Sequence, residues 1–105
     1  MYEFQNKNVK FDFCGTQRSI RLVADRYQQN DRLAIRALGE DGPFGVLTVN
    51  IPEVPLLAHH VLIKTWNENQ ELASAALATG CFIDTGMRVQ TGYVEASIWK
   101  VVRSE

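Results

Sequence analysis

The chain is short of the residues that would commit it to one chemistry. It holds two cysteines, Cys14 and Cys81. They form no CxxC, so neither a zinc ribbon nor a dithiol redox motif is written here. Reduced thiols in a cytoplasmic protein are the expectation. Long apolar runs are missing too, and none approaches the roughly 18 residues that would suggest a membrane span. The opening MYEFQNKNVKFDF lacks the charged-then-apolar order of a secretion signal. No membrane partner is expected. Neither sign of charge is in excess: 11 Lys+Arg stand against 12 Asp+Glu, a net charge of −1. That balance offers no bulk attraction to phosphate backbones, and too few carboxylates to mimic them. Glycines occur in LGEDGPFG (38–45), but without GxGxxG or the Lys-Ser/Thr of a phosphate loop. A hairpin turn accounts for that stretch.

What is present reads as one globular domain. At 105 residues with 46% hydrophobic composition, the chain can bury a core without metal or disulfide staples. Residues 1–15 are expected as an edge strand or arm, with VKFDF (9–13) as the strand. Period-two alternation then dominates. In SIRLVADRY (19–27), Ile20, Leu22 and Ala24 alternate with Arg21, Val23 and Asp25, which predicts a half-buried strand. RLAIRALGE (32–40) and FGVLTVNI (44–51) repeat the pattern, and QQND and EDGP separate them as turns. Pro52 and Pro55 lack donor N–H groups, so PEVP must leave the sheet. HHVLIKTW (59–66) resumes extended character.

Asn67 can cap a helix, with Gln70 as its capping-box partner. ENQELASAALAT is rich in helix formers, acidic at its start through Glu68 and Glu71, and stopped by Gly80. Leu72, Ala75, Ala76 and Thr79 should share its buried side. Two extended pieces follow, the last over Tyr93–Val102. The expected fold is α+β: a meander-type antiparallel sheet of about five to seven strands, with one helix at about residues 68–79 on one face.

A single helix covers a single face. The other is expected to be open, carrying Arg21, Arg32, Arg36, Thr48, Lys64, Trp66, Tyr93, Glu95 and Trp99. Arginine and aromatics anchor interfaces, so Arg21, Arg36, Trp66, Tyr93 and Trp99 are the candidate partner-binding residues. The competing account folds Tyr2, Phe4, Phe11 and Phe13 over that face and buries the tryptophans.

Other constellations are weaker. His59–His60 with a cysteine lacks zinc-ligand spacing, because adjacent strand residues point apart; no metal and no cofactor is expected. Asp84-Thr85-Gly86 matches the aspartic-protease triplet, yet one copy lacks its partner carboxylate, and a turn is the better reading. A thiol enzyme would need Cys14 or Cys81 beside an activating base, which no local pattern provides. Arg18, Arg21, Arg26, Arg32 and Arg36 fall within one short stretch and could serve nucleic acid. Interleaved Asp25, Asp31, Glu40 and Asp41 point instead to cross-strand charge pairing.

The runs Arg32-Leu33-Ala34-Ile35 and Leu47-Thr48-Val49-Asn50, with Pro52, Pro55, the Asn67–Glu71 helix start and Gly92, are similar to a small uncharacterised family. Its members sit on bacterial phages, plasmids and other mobile elements. The resemblance runs from about Arg21 onward and brings no catalytic motif. It implies a non-enzymatic interaction protein whose partner is a host or phage protein, of the kind that inhibits restriction or RNA-guided defence. A nucleic-acid accessory protein and a small thiol enzyme are the alternatives. An open face or edge is also met by a second copy, so a homodimer is a further expectation.

Overall fold

The computed structural model describes residues 2–67 and 69–103. Its elements are β1 (Asn8–Phe13), β2 (Thr16–Arg26), β3 (Leu33–Gly39), β4 (Gly42–Val46), β5 (His60–Ile63), α1 (Asn69–Ala78), β6 (Phe82–Thr91) and β7 (Val94–Val101). All pairings are antiparallel, and the α+β class expected from the sequence is found. The expected single meander is not. Strands β1-β2-β3-β4 make one sheet, and β5-β7-β6 make a second. Pro52 and Pro55 carry the chain out of the first sheet before it re-enters as β5. The helix then separates β5 from β6, so the last strand inserts between them.

Turn chemistry sets the hairpins. Cys14 and Gly15 both have positive φ (52° and 80°) and join Phe13 to its partner Thr16. Two left-handed residues in a two-residue loop match the twist of the flanking strands. Cys14 is therefore an exposed turn residue. Gly92, at φ 63°, opens the equally short turn that joins β6 to β7.

The sheets are stitched along Leu47–Val49. Leu47 N–H donates to the Ile35 carbonyl, Lys64 N–H to Leu47, and Val49 N–H to Leu62 (2.8, 2.9 and 3.0 Å). Thr48, expected on the open face, is instead buried at this seam. Its Oγ1 lies 2.8 Å from Tyr27 Oη and accepts the Ile35 N–H at 3.2 Å. Thr48→Val should destabilise the fold by about 1–3 kcal/mol, because a buried N–H loses its acceptor. Thr48→Ser keeps the hydroxyl and should cost less than half as much. Urea unfolding of the two variants checks this, and equal losses would show that the methyl group matters rather than the hydroxyl.

The main core lies between the inner faces of both sheets and α1. Ile20, Leu22, Ile35, Ala37, Leu47, Val61, Ile63, Leu72, Trp99 and Val101 belong to it. Each fully buried aliphatic side chain stabilises the fold by about 1.5–3 kcal/mol. Ten residues of helix are marginal alone. Here α1 packs against β1 and β6 through Leu72, Ala73 and Ala76, one residue round from the expected Ala75 side. The Asn69 side chain donates to the Val46 carbonyl at 2.8 Å and ties the helix start to β4. Asn67 adopts a left-handed φ of 54°, and its carbonyl accepts the Gln70 N–H. Glu68, expected in the first turn, lies outside the described residues. Gly80, at φ 79°, ends the helix as expected.

A second, smaller cluster sits on the other side of the three-stranded sheet. Leu62, Ala96 and Ile98 are covered there by Val49, Ile51, Val54, Leu56 and Trp66. Arg32 holds this covering loop down by donating to the Ile51 and Val54 carbonyls. Arg32 is thus a clasp, and not the surface cation its place in the strand pattern suggested.

Candidate functional site

Strand alternation gives the four-stranded sheet two unlike faces. Ile20, Leu22, Ile35 and Ala37 point into the core. Arg21, Val23 and Asp25 on β2 oppose Leu38, Arg36 and Ala34 on β3 across the outer face. Lys10 and Asp12 extend that face along β1. Arg21, Arg36, Lys10 and Asp12 are exposed, Val23 and Leu38 are half-buried, and Ala34 is buried. Neither hydrophobic cluster includes Val23 or Leu38. This is the open face expected from a single helix, but it belongs to one sheet only.

Its charges are partly paired. Arg36 Nε donates to Asp25 Oδ2 at 2.9 Å, with both side chains about half exposed. The Asp25 carboxyl is held below its ordinary value, first by the Arg26 backbone N–H and then by Arg36. Arg21 has no carboxylate within ion-pair reach, since the described residues contain only the Arg36–Asp25 and Arg88–Asp84 pairs.

The five candidate residues do not converge. Arg21 and Arg36 share the outer face as diagonal neighbours. Tyr93 is fully exposed, but on the β6–β7 turn of the other sheet. Trp66 is half-buried against the second cluster. Trp99 is 2% exposed in the main core, with Phe82 at 5.4 Å between ring centroids. Placing Trp99 outdoors is corrected for a definite reason: β7 is central and buried on both faces. Ala96 and Ile98 fill the second cluster, while Trp99 and Val101 fill the first. The aromatic-arm alternative reaches this tryptophan only through Phe82, on which Phe4 stacks. It does not hold for Trp66. Phe11, Phe13 and Phe44 form a separate edge-to-face trio.

Sequence reasoning missed a groove of about 310 Å³ between α1 and the three-stranded sheet, lined by Thr65, Ser74, Asp84, Arg88, Ser97 and Trp99 among others. Asp84 and Arg88 make a forked pair there, 3.0 and 3.1 Å. Arg88 is the main reason the Asp84 carboxyl sits below its ordinary value, helped by the Gly86 N–H. The Asp-Thr-Gly triplet builds this geometry as a bulge in β6. Asp84 pairs with Trp99 and Arg88 with Ser97, so three residues face Ile98 alone. Gly86 takes φ 84°, and Thr85 Oγ1 donates to the Ile98 carbonyl at 2.7 Å in place of a ladder bond. This is a backbone device of the kind found on edge strands. The Trp99 indole N–H beneath has no acceptor among the described residues.

Those described residues also hold no cluster of three His, Cys, Asp or Glu able to take a metal ion. Cys81 is buried, and among the described residues no helix is long and apolar enough to cross a membrane. No family model, curated protein or solved structure matches the chain.

Proposed function

We propose that the chain is a non-enzymatic protein-interaction module that meets its partner through the outer face of the β1–β4 sheet. The observation that carries this reading is the unequal covering of the two sheets. A loop, clasped by Arg32, roofs the outer side of the three-stranded sheet. Among the described residues, Val23 and Leu38 join neither hydrophobic cluster; they form a shallow, half-exposed apolar strip flanked by Arg21 and Arg36. An apolar strip bordered by guanidinium groups suits a protein surface that presents carboxylates around an aliphatic or aromatic centre. The mobile-element resemblance supports a host defence component as the partner.

Affinity capture from the bacterial host, followed by binding measurements with the captured protein, tests the reading. Arg21→Ala and Leu38→Asp should each weaken binding by about 2 kcal/mol or more, roughly thirtyfold, as interface anchors do. Arg36→Ala should weaken it less, because Asp25 already shares that guanidinium. Full-strength binding by Arg21→Ala and Leu38→Asp would remove the face from consideration.

A further inference from the structure

The five arginines between residues 18 and 36 do not form one patch. Arg21 and Arg36 stand on the outer sheet face. Arg26 follows the parity of Ile20 and Leu22 but stands past the core at the end of β2. There it meets Arg32 in a cleft of about 160 Å³, lined also by Tyr2, Leu57, His59 and His60.

The two histidines reach one cleft because the chain is not extended there. His59 takes a left-handed φ of 62°, within a turn in which His60 N–H donates to the Leu57 carbonyl. The alternation that would send adjacent side chains to opposite faces is broken at this residue. The proton positions follow from the partners. Arg103 can only donate, so His59 Nε2, 3.1 Å away, is the acceptor and the neutral ring carries its proton on Nδ1. His60 Nδ1 lies 2.9 Å from the Ala58 carbonyl. A carbonyl can only accept, so that nitrogen is protonated.

Among the described residues, no carboxylate lines the cleft. Its guanidinium groups are met by neutral atoms: Asp31 O for Arg26 at 3.5 Å, Ile51 O and Val54 O for Arg32. Neither they nor Arg103 belongs to an ion pair among the described residues. The chain has 12 acidic residues, so this is not a shortage of acid. Cations gathered in a concavity without counter-charge focus a positive potential there. Guanidinium groups favour tetrahedral oxyanions over a lone halide, because their planar forks fit two oxygens at once. The volume would hold about five waters, which suits one such group and little else. Leu57, 76% exposed at the rim, supplies an apolar shelf beside it.

We propose that this cleft binds the terminal phosphate of a phosphomonoester. Arg26 and Arg32 supply charge, Tyr2 Oη and the His59 Nδ1–H supply neutral donors, and Leu57 supports the organic part of the ester. The site is separate from the outer sheet face, and its test does not depend on any protein partner.

The probes are inorganic phosphate and phenyl phosphate, titrated into the full chain at fixed ionic strength and followed by amide chemical shifts. Saturable shifts should centre on Arg26, Leu57 and His60, with phenyl phosphate binding severalfold more tightly than phosphate. Arg26→Gln should weaken phenyl phosphate by about tenfold or more, the loss expected for a charged hydrogen bond. Tyr2→Phe is the second variant and should weaken it less, because it removes one neutral donor. Arg32 is left intact because it also clasps the loop. Flotation with phosphatidylcholine vesicles containing phosphatidic acid identifies the source. Flotation that Arg26→Gln abolishes assigns the phosphate to a lipid headgroup, and absence of flotation assigns it to a soluble ester. Shifts spread evenly over the surface, or undiminished affinity in Arg26→Gln, overturn the proposal.

Discussion

Trp99→Ala should lower the free energy of unfolding by about 3–5 kcal/mol, while Trp99→Phe should lower it by less than half as much. The first figure follows from position. Trp99 is 2% exposed, pairs with Val61 on one side and Asp84 on the other, and packs on Phe82. Truncation there removes a large apolar group from the middle of the three-stranded sheet and leaves a cavity that rigid neighbours cannot close. The second figure follows from the indole N–H. It is buried with no acceptor among the described residues, and such a group costs about 1–3 kcal/mol in lost hydration. Phenylalanine gives up part of the ring's packing but removes that cost. Denaturant unfolding at constant slope separates the two effects. If both variants lose the same stability, the N–H has a partner in solution and the core is better satisfied than its geometry indicates.

The misplacement of Trp99 shows what a strand pattern can and cannot carry. On β2 and β3 one face is core and the other is open, so Ile20, Leu22, Ile35 and Ala37 separate cleanly from Arg21 and Arg36. Both strands were legible for that reason, although Ala24, expected inward, is exposed near the end of β2, and Ala34, expected outward, is buried. On β7 both faces are buried. Parity placed Trp99 opposite Ala96 and Ile98 correctly, but parity cannot say that a second layer exists. That layer is the loop around Pro52 and Pro55, which has no periodicity to read. Its attachment depends on Arg32 donating to two carbonyls, and nothing in the local residue pattern distinguishes a clasp from a surface cation. The same limit applies at His59. Two adjacent histidines read as pointing apart until one residue turns left-handed. The helix, by contrast, was visible from its composition and from Gly80, since both act through local backbone energetics. For the candidate face, Arg21 and Arg36 were found by alternation alone. The grouping of Arg26 and Arg32 with two histidines depends on where β2 and β3 end relative to the Leu57–His60 turn, a tertiary fact.

Phe4→Ala should cost about 3–5 kcal/mol, as much as any core truncation. Three backbone hydrogen bonds hold the segment around it in place. Glu3 N–H donates to the Val102 carbonyl, Asn6 N–H to Leu22, and Leu22 N–H to Lys7, all within 3.0 Å. Phe4 itself is fully buried and stacks between Tyr2 and Phe82, with ring centroids 5.5 Å away on each side. Phe82 in turn meets Trp99, so an aromatic row runs from the arm into the main core. Each such pair adds about 0.5–1.5 kcal/mol beyond area burial. Phe4→Leu fills most of the same volume and should cost about 1–2 kcal/mol, chiefly the stacking. Tyr2→Ala, at a half-buried position, should fall below Phe4→Ala as well. Equilibrium unfolding of the three variants gives the ordering. A loss below about 1 kcal/mol for Phe4→Ala would mean that the arm is not part of the cooperative unit. The two sheets and α1 would then have to hold the core without it, and the Tyr2 wall of the basic cleft would rest on His59 and on its bridge to Arg103.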